Sequence, residues 1–533
     1  MLIKKGKLKM TDNIKNKRLS IDHIKFGKTD AFNELIEFGT DYFIDSFVEN
    51  ERYCKNEFLN GNKFLIIGKK GTGKTAFLRY LECQLDIPEN IVIPIRFKSD
   101  FDEIDKEFFT GVVDEKQSIP DKDIESYDTK GIITQKSYVL MWKSFLIYSI
   151  VSHIHQGEYD VFESDKNYKL MISLLKELYG GDWNKKIILP KLKKGNIEIS
   201  TKFASTLSAE LKLEMEYEKN TKKANYAKIA KKIYNLFTVL KFVSTPVYIL
   251  VDELELSVRN KEMNQKDIAL VRDLILAIDE INRLCHQKAY NIHIIASVRS
   301  EVVTSVVSAG FEVNKCIEDY GVTINWFQKG GNYLENPLLK IVERKIHASE
   351  KANGLSISKD IWNSYFESTI HNTEVRKYLL NNTWYRPRDI IRLLLLLQLE
   401  SVNKYCFDQE SFDRAQQEYS NRMWMEFSEE LRLEYTPEDL SAIKTFFTKI
   451  PIPFTYNSLS ERAKQLGDII PNVKCFFEKV TIAEFIQKMF EIGIIGNTGE
   501  RMVFSFLGDQ DISVLDPMVI HNPLRNFFAV QHS

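Results

Sequence analysis

Apolar runs of strand length recur along the chain: Phe64–Ile67, Ile91–Ile95 and Pro246–Val251, then Ile292–Ala296. They are nearly continuous rather than alternating, the pattern of strands buried on both faces of a parallel sheet. Residues Val322–Trp326 offer a further strand. Segments of helical spacing separate these runs, the first being Ala-Phe-Leu-Arg-Tyr-Leu from Ala76. Strands alternating with helices predict an α/β fold with a mostly parallel sheet covered on both faces. Ahead of it, Phe26–Phe47 reads as an amphipathic stretch, with Phe43, Ile44 and Phe47 at helical spacing.

Between Ile95 and Val247 the chain carries about 140 residues that a minimal fold of this class does not need, so we treat them as an insertion. Within it, Met141–Ile154 predicts an apolar helix, and the alternation in Ile197–Ile199 and Leu211–Tyr217 predicts a small hairpin. Tyr226, Ala230, Ile233, Phe237 and Leu240 form the apolar stripe of another helix, whose other face carries Lys228, Lys231 and Lys232. From Asn336 to Leu431 the pattern is helical only. The last hundred residues predict helices at Pro437–Thr448, Leu459–Leu466 and Ile482–Ile492, then a glycine-turned hairpin over Gly493–Phe506, the order of a winged helix. The expected organisation is a basic tail (1–20), a core (21–332) with its insertion at about 99–235, a helical lid (333–432) and a winged-helix domain (433–533).

Composition narrows the partners. Lys and Arg total 73 against 74 Asp and Glu, so no global basic field points to nucleic acid or an anionic membrane. The six cysteines are dispersed with no Cys-x-x-Cys pair, as expected of core thiols in a reducing compartment. No run reaches the roughly 18 apolar residues of a membrane helix. The N-terminus is Lys-rich with no apolar region behind it, so we expect a cytoplasmic protein that does not engage a membrane.

The strongest chemical signal is Gly68-Lys69-Lys70-Gly71-Thr72-Gly73-Lys74-Thr75, a complete phosphate-binding loop placed between an apolar strand and a helix that starts with Ala76 in its first turn. In such loops the glycines let the backbone approach a polyphosphate, Lys74 reaches the β- and γ-phosphates of ATP, and Thr75 offers a hydroxyl to Mg²⁺. Asp252 and Glu253 end the third apolar strand. Asp252 suits the metal-side carboxylate, and Glu253 beside it suits the polarising of an attacking water, which points to hydrolysis. Ser297 and Arg299 follow the next strand, where a polar side chain can sense the γ-phosphate. Arg386-Pro387-Arg388-Asp389 opens a further helix and brings an arginine toward the same chemistry. The nine histidines are dispersed, and no metal-ligand set emerges beyond the one expected for Mg²⁺.

These features together resemble the AAA+ ATPases of the origin-recognition and cell-division-control type. More narrowly, Phe26-Gly27 with Asp30-Ala31, the phosphate loop, Trp326 before a helix, Arg386–Asp389 and Tyr419-Ser420 resemble a poorly characterised bacterial group of such ATPases. The resemblance implies ATP binding at Lys74 and Thr75, hydrolysis by Glu253 and a lid that reports nucleotide state through Arg388. Where the family has Asn, this chain has Ser297-Val298-Arg299, so the likeness to the related signalling ATPases moves the sensing role to Arg299. An arginine from a neighbouring subunit or partner would complete the site, with Arg272, Arg283 and Arg344 as candidates. The resulting expectation is a nucleotide switch coupled to self-assembly or partner binding, with bacterial defence or signalling as its setting. The second expectation is ATP-controlled DNA binding through the winged helix and the Lys228–Lys232 face.

Overall fold

The computed structural model describes residues 18–49, 54–97, 139–179, 183, 196–199, 216–218, 221–252, 261–308, 313–432 and 434–532. They divide into two compact units, one made of the described residues of 51–69 and 77–324, the other of those of 1–50, 70–76 and 325–533.

The first unit is built on a sheet whose strands were legible as apolar runs. Strands β1 (Leu65–Gly68) and β2 (Ile91–Arg96) come first, and the helix α1 (Lys74–Leu85) joins them. The helices α2 (Val139–Gly157) and α3 (Lys166–Tyr179) precede a small antiparallel sheet of β3 (Asn196–Ile199), β4 (Glu216–Glu218) and β5 (Thr221–Asn225). The helix α4 (Tyr226–Phe237) leads into β6 (Val247–Asp252), α5 (Lys261–Gln287), β7 (Ile292–Arg299) and β8 (Gly321–Thr323). The main sheet has the order β2-β6-β7-β1-β8, and every neighbouring pair is parallel. An α/β fold is therefore observed.

Burial follows from that topology. Each residue of β1 and β6 is buried, because helices cover both faces of a parallel sheet. The mostly apolar helix α2 is buried almost all round from Met141 to Ile154, its serines and Lys143 included, and its Trp142 indole donates to the Leu270 carbonyl of α5 at 3.0 Å. Parallel register puts the carboxyl ends of the strands on one edge: Arg96 pairs with Asp252, and Arg299 pairs with Gly68. In open α/β sheets this is the edge at which ligands bind.

Two expectations change within the insertion. The strand expected over Leu211–Tyr217 is described only at Glu216–Glu218, its residues 211–215 lying outside the described set. The predicted hairpin is a three-stranded sheet with β5 in its middle. The polar sequence Thr-Lys-Lys-Ala-Asn concealed that strand, since only backbone pairing to both neighbours reveals it.

In the second unit, residues Ala31–Phe38 and Thr40–Ser46 form two short helices. Behind them, Glu34 pairs with Lys345 of α6 (Pro337–Ala352), whose ammonium also donates to Ser46 Oγ at 3.1 Å. The short helices Ile361–Tyr365 and Val375–Asn381 follow, and helices α7 (Pro387–Leu399) and α8 (Gln409–Leu431) complete the helical segment. The C-terminal segment has the three expected helices, observed at Pro437–Phe447, Tyr456–Gly467 and Ile482–Glu491, and two unexpected ones at Pro471–Lys479 and Asn522–Phe527. Its hairpin also differs from expectation. Ile495–Asn497 pairs antiparallel with Met518–Ile520, while Val503 contributes only a single bridge to Asn497. A long return loop brings the partner strand from beyond Phe506, which no local turn signal predicts. The two segments are joined: the Trp384 indole donates to the Gly493 carbonyl at 2.7 Å, and the buried His521 ring meets the Thr383 carbonyl at 2.9 Å. No helix among the described residues is long and apolar enough to cross a membrane.

Candidate functional site

The glycine-rich loop runs from the end of β1 to the start of α1. Its two inner glycines, Gly71 and Gly73, have φ of 83° and 94°, a left-handed backbone that a side chain at either position would strain. Three successive carbonyls of this loop accept hydrogen bonds. Lys70 O accepts from Arg386 Nη1 at 3.4 Å, Gly71 O from the Arg388 backbone amide at 3.4 Å, and Thr72 O from the Trp326 indole at 2.8 Å. The Gly71 backbone also runs so close to Arg388 that a Cβ there would lie 3.3 Å from the Cβ of Arg388.

Charges gather beside the loop. Pro387 occupies the first turn of α7, where its missing N–H costs nothing. Arg386 Nε donates to Asp389 Oδ2 at 2.8 Å, and Asp389 also accepts from the Trp384 amide at 3.2 Å, which fixes the start of the helix. Arg388 Nε donates to the Thr29 carbonyl at 3.2 Å and its Nη1 to Glu426 Oε1, also at 3.2 Å. Arg392 binds the other oxygen of Glu426, and the Lys70 ammonium lies 3.9 Å from Glu426 and 3.1 Å from Glu429.

Burial alone would raise the carboxyl pKa of Glu426, but Arg392, Arg388, Arg386 and Lys70 outweigh it and hold the group at about 2. A carboxyl depressed below its unfolded value of about 4.5 stabilises the fold fully above that value and loses the contribution as pH falls toward 2, in all about 3 kcal/mol. Glu426→Gln should therefore lower the melting temperature at pH 7 by several degrees, and the gap to wild type should begin to narrow near pH 5 and close only as pH approaches 2. A gap that stays constant from pH 5 to pH 2 would show that packing, not charge, carries the cluster.

At the carboxyl edge of the sheet, Asp252 is 2% exposed. Its Oδ1 accepts from Ser297 Oγ at 2.5 Å, and its Oδ2 has no hydrogen-bond partner among the described residues. A buried, unpartnered carboxylate oxygen is costly unless a cation or a donor completes it. Such an oxygen fits a hard divalent metal such as Mg²⁺, which takes carboxylate and hydroxyl oxygens. Glu253 lies outside the described residues. The fully buried Arg79 of α1, which binds Glu82, feels the charges of Arg96 and Asp252. Burial pushes its guanidinium pKa down, and two of its nitrogens lack partners among the described residues. Reading the sequence missed Arg79, because an arginine between Leu78 and Tyr80 passes as a surface residue of an amphipathic helix.

Residues 336–427 match a family described as the FunZ-associated C-terminal helical domain. No curated protein and no solved structure matches the chain. The FunZ-associated segment contains Arg386, Arg388, Asp389 and Glu426, so one matched segment supplies most of the groups that meet the glycine-rich loop.

The remaining candidates are distributed as follows. Ser297 and Asp252 are brought together, and Arg299 stands beside Gly68 in the sheet register. Of the three arginines considered for a neighbour's site, Arg344 is exposed, Arg283 is exposed and pairs with Asp279, and Arg272 is buried against Asp273. Burial takes Arg272 out of reach of a second chain. Lys228 and Lys231 are exposed on α4, whereas Lys232 is half-buried.

Proposed function

We propose that this chain is an ATP-binding and ATP-hydrolysing switch of the AAA+ type, in which the loop Gly68–Thr75 takes the polyphosphate. The observation that carries the reading is the loop itself, a glycine-rich turn between a buried parallel strand and a twelve-residue helix. Backbone N–H groups and the positive end of a helix dipole favour an anion there. Lys74 adds positive charge for the β- and γ-phosphates, and Glu253 orients and deprotonates water. The Thr75 hydroxyl and the Asp252 carboxylate would hold Mg²⁺, which supplies charge neutralisation on the phosphates when bound. Ser297 fixes the rotamer of Asp252 by its hydrogen bond. Arg299, at the strand end next to Gly68, is the candidate sensor of the γ-phosphate.

In this reading nucleotide state is relayed to self-assembly or to a protein partner in the cytoplasm, in a defence or signalling setting. The helical lid responds because its Arg386 and Arg388 hold the loop directly. Mass photometry of the chain with ATP, with ADP and without nucleotide tests the relay, the expected result being a larger assembly in one nucleotide state. Identical masses in all three states, with and without a cell extract, would remove the switch from the proposal.

A second reading, DNA binding through a C-terminal winged helix, has weaker support. From Thr436 to Ser533 there are nine Lys and Arg against eleven Asp and Glu. Lys488, on the helix before the strand pair, is paired with Glu434, and Arg501 binds Asp509 at 2.8 Å. Cations already engaged by acids release few counterions from a duplex. Fluorescence anisotropy with duplex DNA and ATP at 150 mM salt should accordingly show binding no tighter than about 10⁻⁶ M. Nanomolar binding with a steep salt dependence would restore the DNA reading.

A further inference from the structure

Trp326 has no role in the chemistry above, yet it makes the shortest of the three contacts to the glycine-rich loop. Its ring is 4% exposed, and its indole N–H donates to the Thr72 carbonyl at 2.8 Å. Its own position is fixed from behind. The side chain of Asn336 donates to the Trp326 carbonyl at 3.2 Å while capping α6 through the Leu338 amide at 3.0 Å. Trp326 is thus tied to the start of a long helix and not to a mobile loop.

The consequence follows from peptide geometry. In a trans peptide the C=O of one residue and the N–H of the next point in opposite directions. The Lys70, Gly71 and Thr72 carbonyls are taken by Arg386, Arg388 and Trp326, donors from two separate places in the chain. The amides of Gly71, Thr72 and Gly73 therefore each point away from the donor that holds the preceding carbonyl. Successive N–H groups turned to one side, with a left-handed residue among them, form an anion-binding nest.

We propose that Trp326 is a positioning residue for the phosphate loop, its indole N–H fixing the Thr72–Gly73 peptide plane so that the loop amides are preset toward a polyphosphate. Arg386 and the Arg388 amide do the same for the two preceding planes. The inference rests on the reading of Gly68–Thr75 as a polyphosphate site and deepens it by naming what orients the donors. A preset loop binds without first ordering its peptide planes, which is where the affinity gain lies.

The test replaces Trp326 in the full chain with 3-benzothienylalanine, which keeps the ring shape and exchanges the N–H for sulfur, and separately with Phe. Titration calorimetry is then run with ATP, tripolyphosphate and adenosine. Loss of one buried hydrogen bond to the loop should weaken ATP and tripolyphosphate by about tenfold each. Adenosine affinity should be unchanged, because adenosine carries no phosphate for the amides to meet. A general loss of fold would weaken all three ligands and lower the melting temperature, which circular dichroism of both variants reads. Wild-type affinity in the sulfur variant, or an equal loss for adenosine, overturns the proposal for Trp326. Absence of Lys74-dependent ATP binding in the wild-type chain is a different result and defeats the nucleotide reading on which the proposal stands.

Discussion

Lys74→Ala is expected to weaken ATP binding by at least about a hundredfold, the loss of roughly 3 kcal/mol of charge-assisted bonding to the phosphates. The same change should leave the nucleotide-free fold intact. Lys74 is the first residue of its helix and is only half-buried, so its charge stands where the helix dipole is already positive. Calorimetry of wild type and variant, paired with their melting temperatures, checks both halves. Equal ATP affinity in the two proteins would remove Lys74 from the site.

Glu253→Gln should keep ATP binding within about twofold and lower the turnover number by two to four orders of magnitude, since the amide keeps the shape but cannot take the proton of water. Asp252, one residue earlier, is expected to behave differently. It is buried and bonded to Ser297, and its second oxygen is the one suited to a metal. Asp252→Asn should therefore raise the Mg²⁺ concentration required for hydrolysis, whereas Glu253→Gln should not. Steady-state turnover across a Mg²⁺ series, together with ATP affinity, separates the two carboxylates. Full turnover in the Glu253 variant would pass the water-orienting role to another residue.

What the sequence made legible depends on how local the cause is. The strands β1, β2, β6 and β7 were readable because a parallel sheet covered on both faces demands continuous apolar runs, and these strands have them. The loop was readable because its glycines meet a local backbone requirement, seen in the positive φ of Gly71 and Gly73. The strand Thr221–Asn225 was not, since its sequence is polar and its place in a sheet is set by partners. Nor was the pairing of Ile495–Asn497 with Met518–Ile520 across a long loop.

The surroundings of the candidate site were the least legible. Nothing in Glu426 or its neighbours announces a carboxylate shared by Arg388, Arg392 and Lys70, because the two arginines lie on one helix and Lys70 in a loop far earlier in the chain. Trp326 was visible only as part of a resemblance. Its bond to Thr72 joins residues 254 positions apart and has no periodicity to betray it. Arg388 was expected to approach phosphates through its side chain. Its backbone amide meets the loop instead, and its guanidinium binds Thr29 and Glu426. Sequence pattern thus located the loop, while the groups that orient it required the fold.

The measurement that bears most directly on the central claim is equilibrium dialysis of the full chain against radiolabelled ATP with Mg²⁺, over a concentration series reaching the millimolar range. The account predicts one saturable site per chain, displaced by unlabelled ATP and by tripolyphosphate. No retained nucleotide at millimolar ATP, or retention that tripolyphosphate fails to displace, would contradict it.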